Sequence, residues 1–399
     1  MEEKMAKQKV EMGQMKEQEM MVREALKKIK NKVMILSGKG GVGKSTVSVC
    51  LATDLANRGY KTGILDVDLH GPSVPRMLGI SGLLDIDSEK HLIPKTVMKN
   101  LSVVSIEYLL ADKDQAVIWR GPLKHSAIAQ FIGQVAWGEL DYLVIDSPPG
   151  TGDEPLSVAQ LIPDAKGVIV TQPQEISLAD VRKCITFCKH VEMEPIGIVE
   201  NMSGIICPYC GKKFHIFKSG GGEKIALITG LPFLGTLNFD PDLVDAADKG
   251  KLVSYISDEK RPYNQDFKKI TDNVIKRVEE TRVEPISVEE IRRRRWIRVA
   301  IPLFKDKVAP ILPQADEIAV FHVIEGRIEE SARLRPEGKH TITPADISQL
   351  KVNLVILKDI KEKAKYVFNR YKIGVVSNAP DLPPEKLIEE FLAGRLGGD

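Results

Sequence analysis

Neither sign of charge prevails in this 399-residue chain, whose formal net charge is only +2. No chain-wide field therefore points to nucleic acid or an anionic membrane as a partner. No apolar run approaches the roughly 18 to 20 residues that span a bilayer. The stretch from Met1 to Lys30 is densely charged and lacks the apolar centre of a signal peptide. These absences predict a soluble, cytoplasmic protein with no nucleic-acid or membrane partner. Cysteine is scarce as well, five in the chain, too few for a disulfide framework at this length. In a reducing compartment a close-spaced pair points instead to metal binding or reactivity. The length allows two or three domains with sizeable cores.

What is present begins with Gly38-Lys39-Gly40-Gly41-Val42-Gly43-Lys44-Ser45-Thr46, set between an apolar run, Val33 to Leu36, and a helix-like segment from Val47. A strand feeding a glycine-rich turn that opens a helix aims several backbone N–H groups and a positive helix end at one spot, which suits a polyphosphate. In the motif G-x-x-x-x-G-K-[ST], Lys44 reaches the β- and γ-phosphates and the Ser45 hydroxyl joins a Mg²⁺ shell. Downstream, short β-branched runs at 62–67, 103–106, 142–145, 168–170, 196–199 and 233–235 alternate with helix-like stretches. This pattern predicts an α/β fold with a mostly parallel sheet buried under helices. Ligands then sit beyond the carboxyl ends of the strands.

Carboxylates fall at those ends. Asp66 and Asp68 close the second strand, where they can hold a Mg²⁺-bound water and orient an attacking water, although an ordinary acidic turn has the same appearance. His70, just after, reads as a loop residue. Asp146 closes another apolar strand, the place of a Walker B aspartate. Pro149 and Gly150 follow it in a glycine-rich loop able to move when a γ-phosphate leaves, a switch II segment. Arg120, beside Trp119, reads as a packed surface pair rather than a phosphate contact.

The string GKGGVGKST resembles the deviant Walker A loop of the nitrogenase-iron-protein, MinD and ParA class. D-x-D-x-x-G-P-S and D-x-P-P-G-T-G resemble the switch segments of Mrp/ApbC-type ATPases. The resemblance implies a nucleotide-dependent homodimer in which Lys39 reaches the partner's nucleotide. It also implies that Asp68 activates water and that Asp66 belongs to the magnesium environment. Asn201, after the strand at 196–199, would pair with adenine through its side-chain amide; a turn-forming asparagine is the alternative.

Cys207-Pro208-Tyr209-Cys210-Gly211 is the only C-x-x-C in the chain. It supplies two thiolates, whereas a tetrahedral zinc or a [4Fe–4S] cluster usually takes four ligands. Cys184 and Cys188 share one apolar helical stripe with Leu178, Val181, Ile185 and Val191, which reads as core, as does Cys50. A two-fold axis brings two C-x-x-C pairs together without any further motif. The C-P-x-C-G string followed by Gly220-Gly221-Gly222 matches the Mrp/ApbC branch, in which a labile cluster bridges the subunits. A shared structural zinc is the alternative, and His215 adds to it.

Residues 1–30 read as a helical extension, 31–280 as the ATPase domain with its C-x-x-C site, 281–296 as a linker with a basic run, and 297–399 as a second, smaller α/β domain. The last resembles, weakly, the NifX/NifB cofactor-binding domain, but it has no cysteine, and His322 and His340 have no visible ligand partners. The combined reading is an ATPase that carries a [4Fe–4S] cluster between subunits at Cys207 and Cys210 and passes it to apo-proteins. Two other readings are a MinD/ParA-like positioning ATPase and a reductase resembling the nitrogenase iron protein.

Overall fold

The computed structural model describes all residues except 1–16, 69–70, 110–120, 208–209, 211, 216–218, 285, 336–340 and 398–399. His70, Trp119, Arg120 and His340 therefore lie outside the described residues. The chain divides into two compact units, 1–281 and 282–399.

The first unit is built on an eight-stranded sheet of β1 Ile29–Leu36, β2 Thr62–Asp66, β3 Lys95–Met98, β4 Leu101–Ser105, β5 Leu140–Asp146, β6 Lys166–Thr171, β7 Glu194–Glu200 and β8 Phe233–Thr236. Their order is β8-β7-β6-β1-β5-β2-β4-β3. Every pairing is parallel except that of β3 with β4. The continuous apolar run Val33 to Leu36 reflects this: all four residues are at most 1% exposed, as expected for a central strand covered on both faces. β1 starts four residues before the apolar run does. Ile29 pairs with Leu140 and Asn31 with Tyr142, and the stem of Lys32 is buried while its amine reaches Asp164 at 2.7 Å. Upstream, residues 17–26 form a helix that buries Val22 and Leu26, one turn apart.

Parallel strands with helical crossovers put all their carboxyl ends on one edge of the sheet. The P-loop leaves β1 there and opens α1, Lys44–Asn57. Asp66 and Asp146 end adjacent strands and are direct ladder partners. In α2, Glu175–His190, the residues Val181, Cys184, Ile185 and Cys188 are buried, the core stripe expected of them.

The second unit has a sheet of β9 Trp296–Phe304, β10 Glu317–Ile324, β11 Arg327–Leu334, β12 Leu354–Ile356 and β13 Gly374–Val376 in the order β11-β10-β9-β12-β13. Alternate residues of β9 face two cores. Ile297, Val299, Ile301 and Leu303 join Leu387, Ile388 and Phe391, while Ala300 joins Ile347 and Phe368. The apolar stripe of the last helix, Pro384–Leu392, is thus core. Among the described residues no helix is long and apolar enough to cross a membrane. Within 281–296, read from sequence as a linker, the helix Val288–Arg292 buries Ile291 in this core. Arg292 donates to the carbonyls of Phe391 (2.7 Å) and Leu396 (2.6 Å). One arginine of the basic run therefore closes the second unit's own structure.

Candidate functional site

Glycine does two different jobs in the loop between β1 and α1. Gly43, at φ +84°, is the residue before the first helical turn, a left-handed conformation that side chains disfavour. A Cβ there would lie 2.2 Å from the Asn201 amide nitrogen. Gly38 is required by space alone, because a Cβ would meet the Asp180 backbone carbonyl of α2 at 2.5 Å. The loop is shaped from behind by two side chains at neighbouring strand ends. The Asn201 amide donates to the Val42 carbonyl (2.9 Å) and the Gln172 amide to the Gly41 carbonyl (3.2 Å). Holding these carbonyls away leaves the loop's N–H groups for an anion. Gly40 and Gly41 are exposed and Lys39 is half-buried in this loop, and Ser45 and Thr46 are half-buried in the first turn of α1.

Lys44 is buried, and its ammonium contacts Asp146 Oδ1 at 2.7 Å and Ser45 Oγ at 3.3 Å. Ser48, one helical turn after Lys44, donates to the same Asp146 oxygen at 2.8 Å. The other oxygen, Oδ2, is buried without a hydrogen-bond partner among the described residues. A buried, unsatisfied carboxylate oxygen is costly, and hydrated Mg²⁺ beside the Ser45 hydroxyl is a partner that fits it.

Asp66, the ladder neighbour, is fully buried, and both of its oxygens are engaged. Ser105 Oγ donates to Oδ2 (2.9 Å) and the Asp68 N–H to Oδ1 (3.2 Å). Burial first, and then the neighbouring Asp146 charge, push its pKa well above the ordinary 3.8. Its charge therefore costs stability. That cost is absent below the unfolded value and grows as the pH climbs from there toward the folded value. Asp66→Asn, whose amide oxygen still accepts from the Asp68 N–H and whose NH2 can donate to a reversed Ser105 hydroxyl, is expected to raise the unfolding temperature of the nucleotide-free chain more at pH 8 than at pH 5. Scanning calorimetry at the two pH values tests this; equal shifts would assign the effect to something other than the carboxylate.

Asp68 is buried and accepts from the Gly71 N–H at 3.2 Å. After β5, the Ser147 hydroxyl donates to the Ile35 carbonyl (2.7 Å), and Gly150, at φ +87°, donates its N–H to the Ser37 carbonyl (2.8 Å). The segment holding Pro149 and Gly150 is thereby latched to the strand that feeds the P-loop. Lys39, Lys44, Ser45, Asp66, Asp68, Asp146, Gly150 and Asn201 all belong to one edge of one sheet. Ser48, Ser105 and Gln172 join them without a motif to announce them; only Ser48, four residues after Lys44, carries a positional cue.

Cys207 and Cys210 belong to the turn of a short hairpin, Ile205–Ile206 with Lys213–Phe214. The Cys207 N–H donates to the Lys212 carbonyl at 3.0 Å, closing the turn. Cys207 is half-buried and Cys210 exposed, whereas Cys50, Cys184 and Cys188 are buried. Burial pushes the Cys184 and Cys188 thiols up to about 12, which leaves them inert. Among the described residues no group of three or more His, Cys, Asp and Glu side chains is arranged to hold a metal ion. The His215 ring donates through Nδ1 to the Ser203 carbonyl at 2.5 Å.

The family model described as ParA, the NUBPL iron-transfer P-loop NTPase, matches residues 28–275. The chain is 48% identical over 264 residues to the iron-sulfur cluster carrier protein of Methanocaldococcus jannaschii, covering 66% of this chain and 90% of that relative. It is 46% identical over 228 residues to the cytosolic Fe-S cluster assembly factor NUBP2 of Rattus norvegicus, covering 56% and 84%. A solved nucleotide-binding protein of Archaeoglobus fulgidus, in complex with ADP, is similar at 39% identity with a TM-score of 0.55, over 62% of this chain and 96% of that one. The family match ends before the second unit, and the NifX/NifB resemblance gains no support from it.

Proposed function

The chain belongs to the NUBPL iron-transfer P-loop NTPase family, and on that basis we propose that it is an ATP-hydrolysing carrier of a [4Fe–4S] cluster. The cluster is its cargo, held between two copies of the chain by Cys207 and Cys210 of each and delivered to apo-proteins in the cytoplasm. The observation that carries this reading is the hairpin turn: the two cysteines at the surface are the two that share a C-x-x-C.

At the nucleotide end, Lys44 leaves Asp146 for the β- and γ-phosphates, and the loop N–H groups of residues 40–46 cradle them. Lys39 reaches the partner's nucleotide, and Asn201 meets the base edge with whatever its bond to Val42 leaves open. Mg²⁺, when bound, neutralises phosphate charge; Asp146 Oδ2 and Ser45 Oγ are the groups that would hold it or its waters. Asp66, with both oxygens engaged inside the chain, stands behind Asp146 and orients Asp68. Asp68 positions the attacking water, since phosphoryl transfer rests on positioning and charge stabilisation. Loss of the γ-phosphate lets Gly150 return to the Ser37 carbonyl, so the switch alternates between phosphate and strand.

Cluster transfer tests the carrier reading. The full chain, reconstituted anaerobically, is mixed with an apo-ferredoxin and the acceptor re-isolated. Recovery of the acceptor's cluster absorption supports a carrier. A cluster that stays bound while accepting and releasing electrons would favour the reductase reading.

A further inference from the structure

A buried carboxylate that the nucleotide chemistry does not use stands between the two functional ends. Glu200 closes β7, is 1% exposed, and directly precedes Asn201. Its Oε2 accepts from the Gly222 N–H at 2.6 Å, and its Oε1 accepts from Ser203 Oγ at 2.5 Å and the Gly220 N–H at 3.3 Å. These glycines open α3, Gly221–Thr229, the first helix after the cysteine hairpin. The acceptor thus sits at the positive end of that helix. The glycine run is needed for the seat: a Cβ on Gly222 would lie 2.9 Å from Glu200 Cβ, and one on Gly221 would lie 2.5 Å from the Pro173 carbonyl.

The arrangement is doubled. At the end of β6, Gln172 holds the P-loop carbonyl of Gly41 while Pro173, next in sequence, packs on Gly221. At the end of β7, Asn201 holds the Val42 carbonyl while Glu200 holds Gly220 and Gly222. Two strand ends therefore grip the back of the P-loop and the start of α3 with adjacent residues. The other flank of the hairpin is fixed to the same segment, because the His215 ring donates to the Ser203 carbonyl and the Ser203 N–H to Leu237. The residues that touch Gly41 and Val42 are thus joined by a single peptide bond to those that touch the start of α3.

We propose that Glu200 is a positioning residue that couples occupancy of the P-loop to the accessibility of Cys207 and Cys210. The inference rests on the carrier reading for its purpose, but its test needs no iron. Nucleotide organises the loop, firms both strand ends and withdraws the hairpin thiols; loss of the nucleotide frees them.

The test is the rate at which an aromatic disulfide reagent titrates the metal-free full chain, with and without ADP or a non-hydrolysable ATP analogue. Because three of the five cysteines are buried, the fast phase reports Cys207 and Cys210. In the wild type, saturating nucleotide is expected to slow that phase about fivefold, the low end of ordinary site-to-site coupling. In Glu200→Gln, whose single acceptor oxygen cannot serve both the Gly220 and the Gly222 N–H groups that Glu200 holds on separate oxygens, nucleotide affinity is expected to stay within about twofold while the slowing disappears. Gly222→Ala, which pushes the helix off its seat and leaves the carboxylate in place, is expected to decouple the two ends in the same way and decides the matter if Glu200→Gln does not fold. A wild type indifferent to nucleotide, or either variant keeping the full slowing, overturns the proposal. Absence of cluster loading alongside intact coupling would instead strike the carrier reading.

Discussion

Lys44→Ala is expected to abolish nucleotide binding and also to destabilise the nucleotide-free chain by about 3–5 kcal/mol, the cost of removing one partner from a buried ion pair. The second effect distinguishes this site from a P-loop lysine that merely waits in solvent. The Lys44 ammonium sits 2.7 Å from an Asp146 that is fully buried, with one oxygen already unpartnered. Without Lys44, only the Ser48 hydroxyl among the described residues remains on that carboxylate. Adding Asp146→Ala to Lys44→Ala is therefore expected to recover part of the lost stability and none of the binding. Urea unfolding followed beside titration with a fluorescent ADP reads both quantities. Binding retained within tenfold of wild type, or a double variant less stable than Lys44→Ala, would mean that the pair is not organised as described.

Single substitutions at the hairpin turn are expected to be all-or-none for iron. If four thiolates from two chains hold one cluster, Cys207→Ala removes two of the four at once, one from each copy, and Cys210→Ala does the same. Both variants should leave anaerobic reconstitution colourless. Cys184→Ala should load iron like the wild type, because its buried thiol, pushed up to about 12, lies in the core of α2. Visible absorption and iron analysis after desalting check this. A Cys184→Ala chain that loses its iron while Cys207→Ala keeps it would place the cargo elsewhere.

Much of the ATPase unit could be read from local pattern. Val33 to Leu36 and the glycine loop after it identify a buried parallel strand and a phosphate turn because each depends on neighbours in sequence. The aspartates at strand ends are legible for the same reason, and so is the stripe that buries Cys184 and Cys188. What escaped depends on residues far apart in the chain. That Asp66 and Asp146 are ladder partners follows from strand order, and so does the burial that raises the Asp66 pKa. Glu200 looks like an ordinary strand terminus until Gly220 and Gly222 are folded onto it. β3 leaves no local signal, since its four residues, Lys95 to Met98, show neither alternation nor a buried run. The helix Val288–Arg292 looks like linker in sequence because one buried side chain, Ile291, sits among charged neighbours.

The most direct test of the carrier account is native mass spectrometry of the wild-type chain after anaerobic reconstitution with iron and sulfide, with zinc and iron measured on the same sample. The account predicts two chains joined by one [4Fe–4S] cluster, and separation of the chains when the cluster is stripped. A dimer with about one zinc and no iron chromophore, or iron held stoichiometrically by single chains, would contradict it.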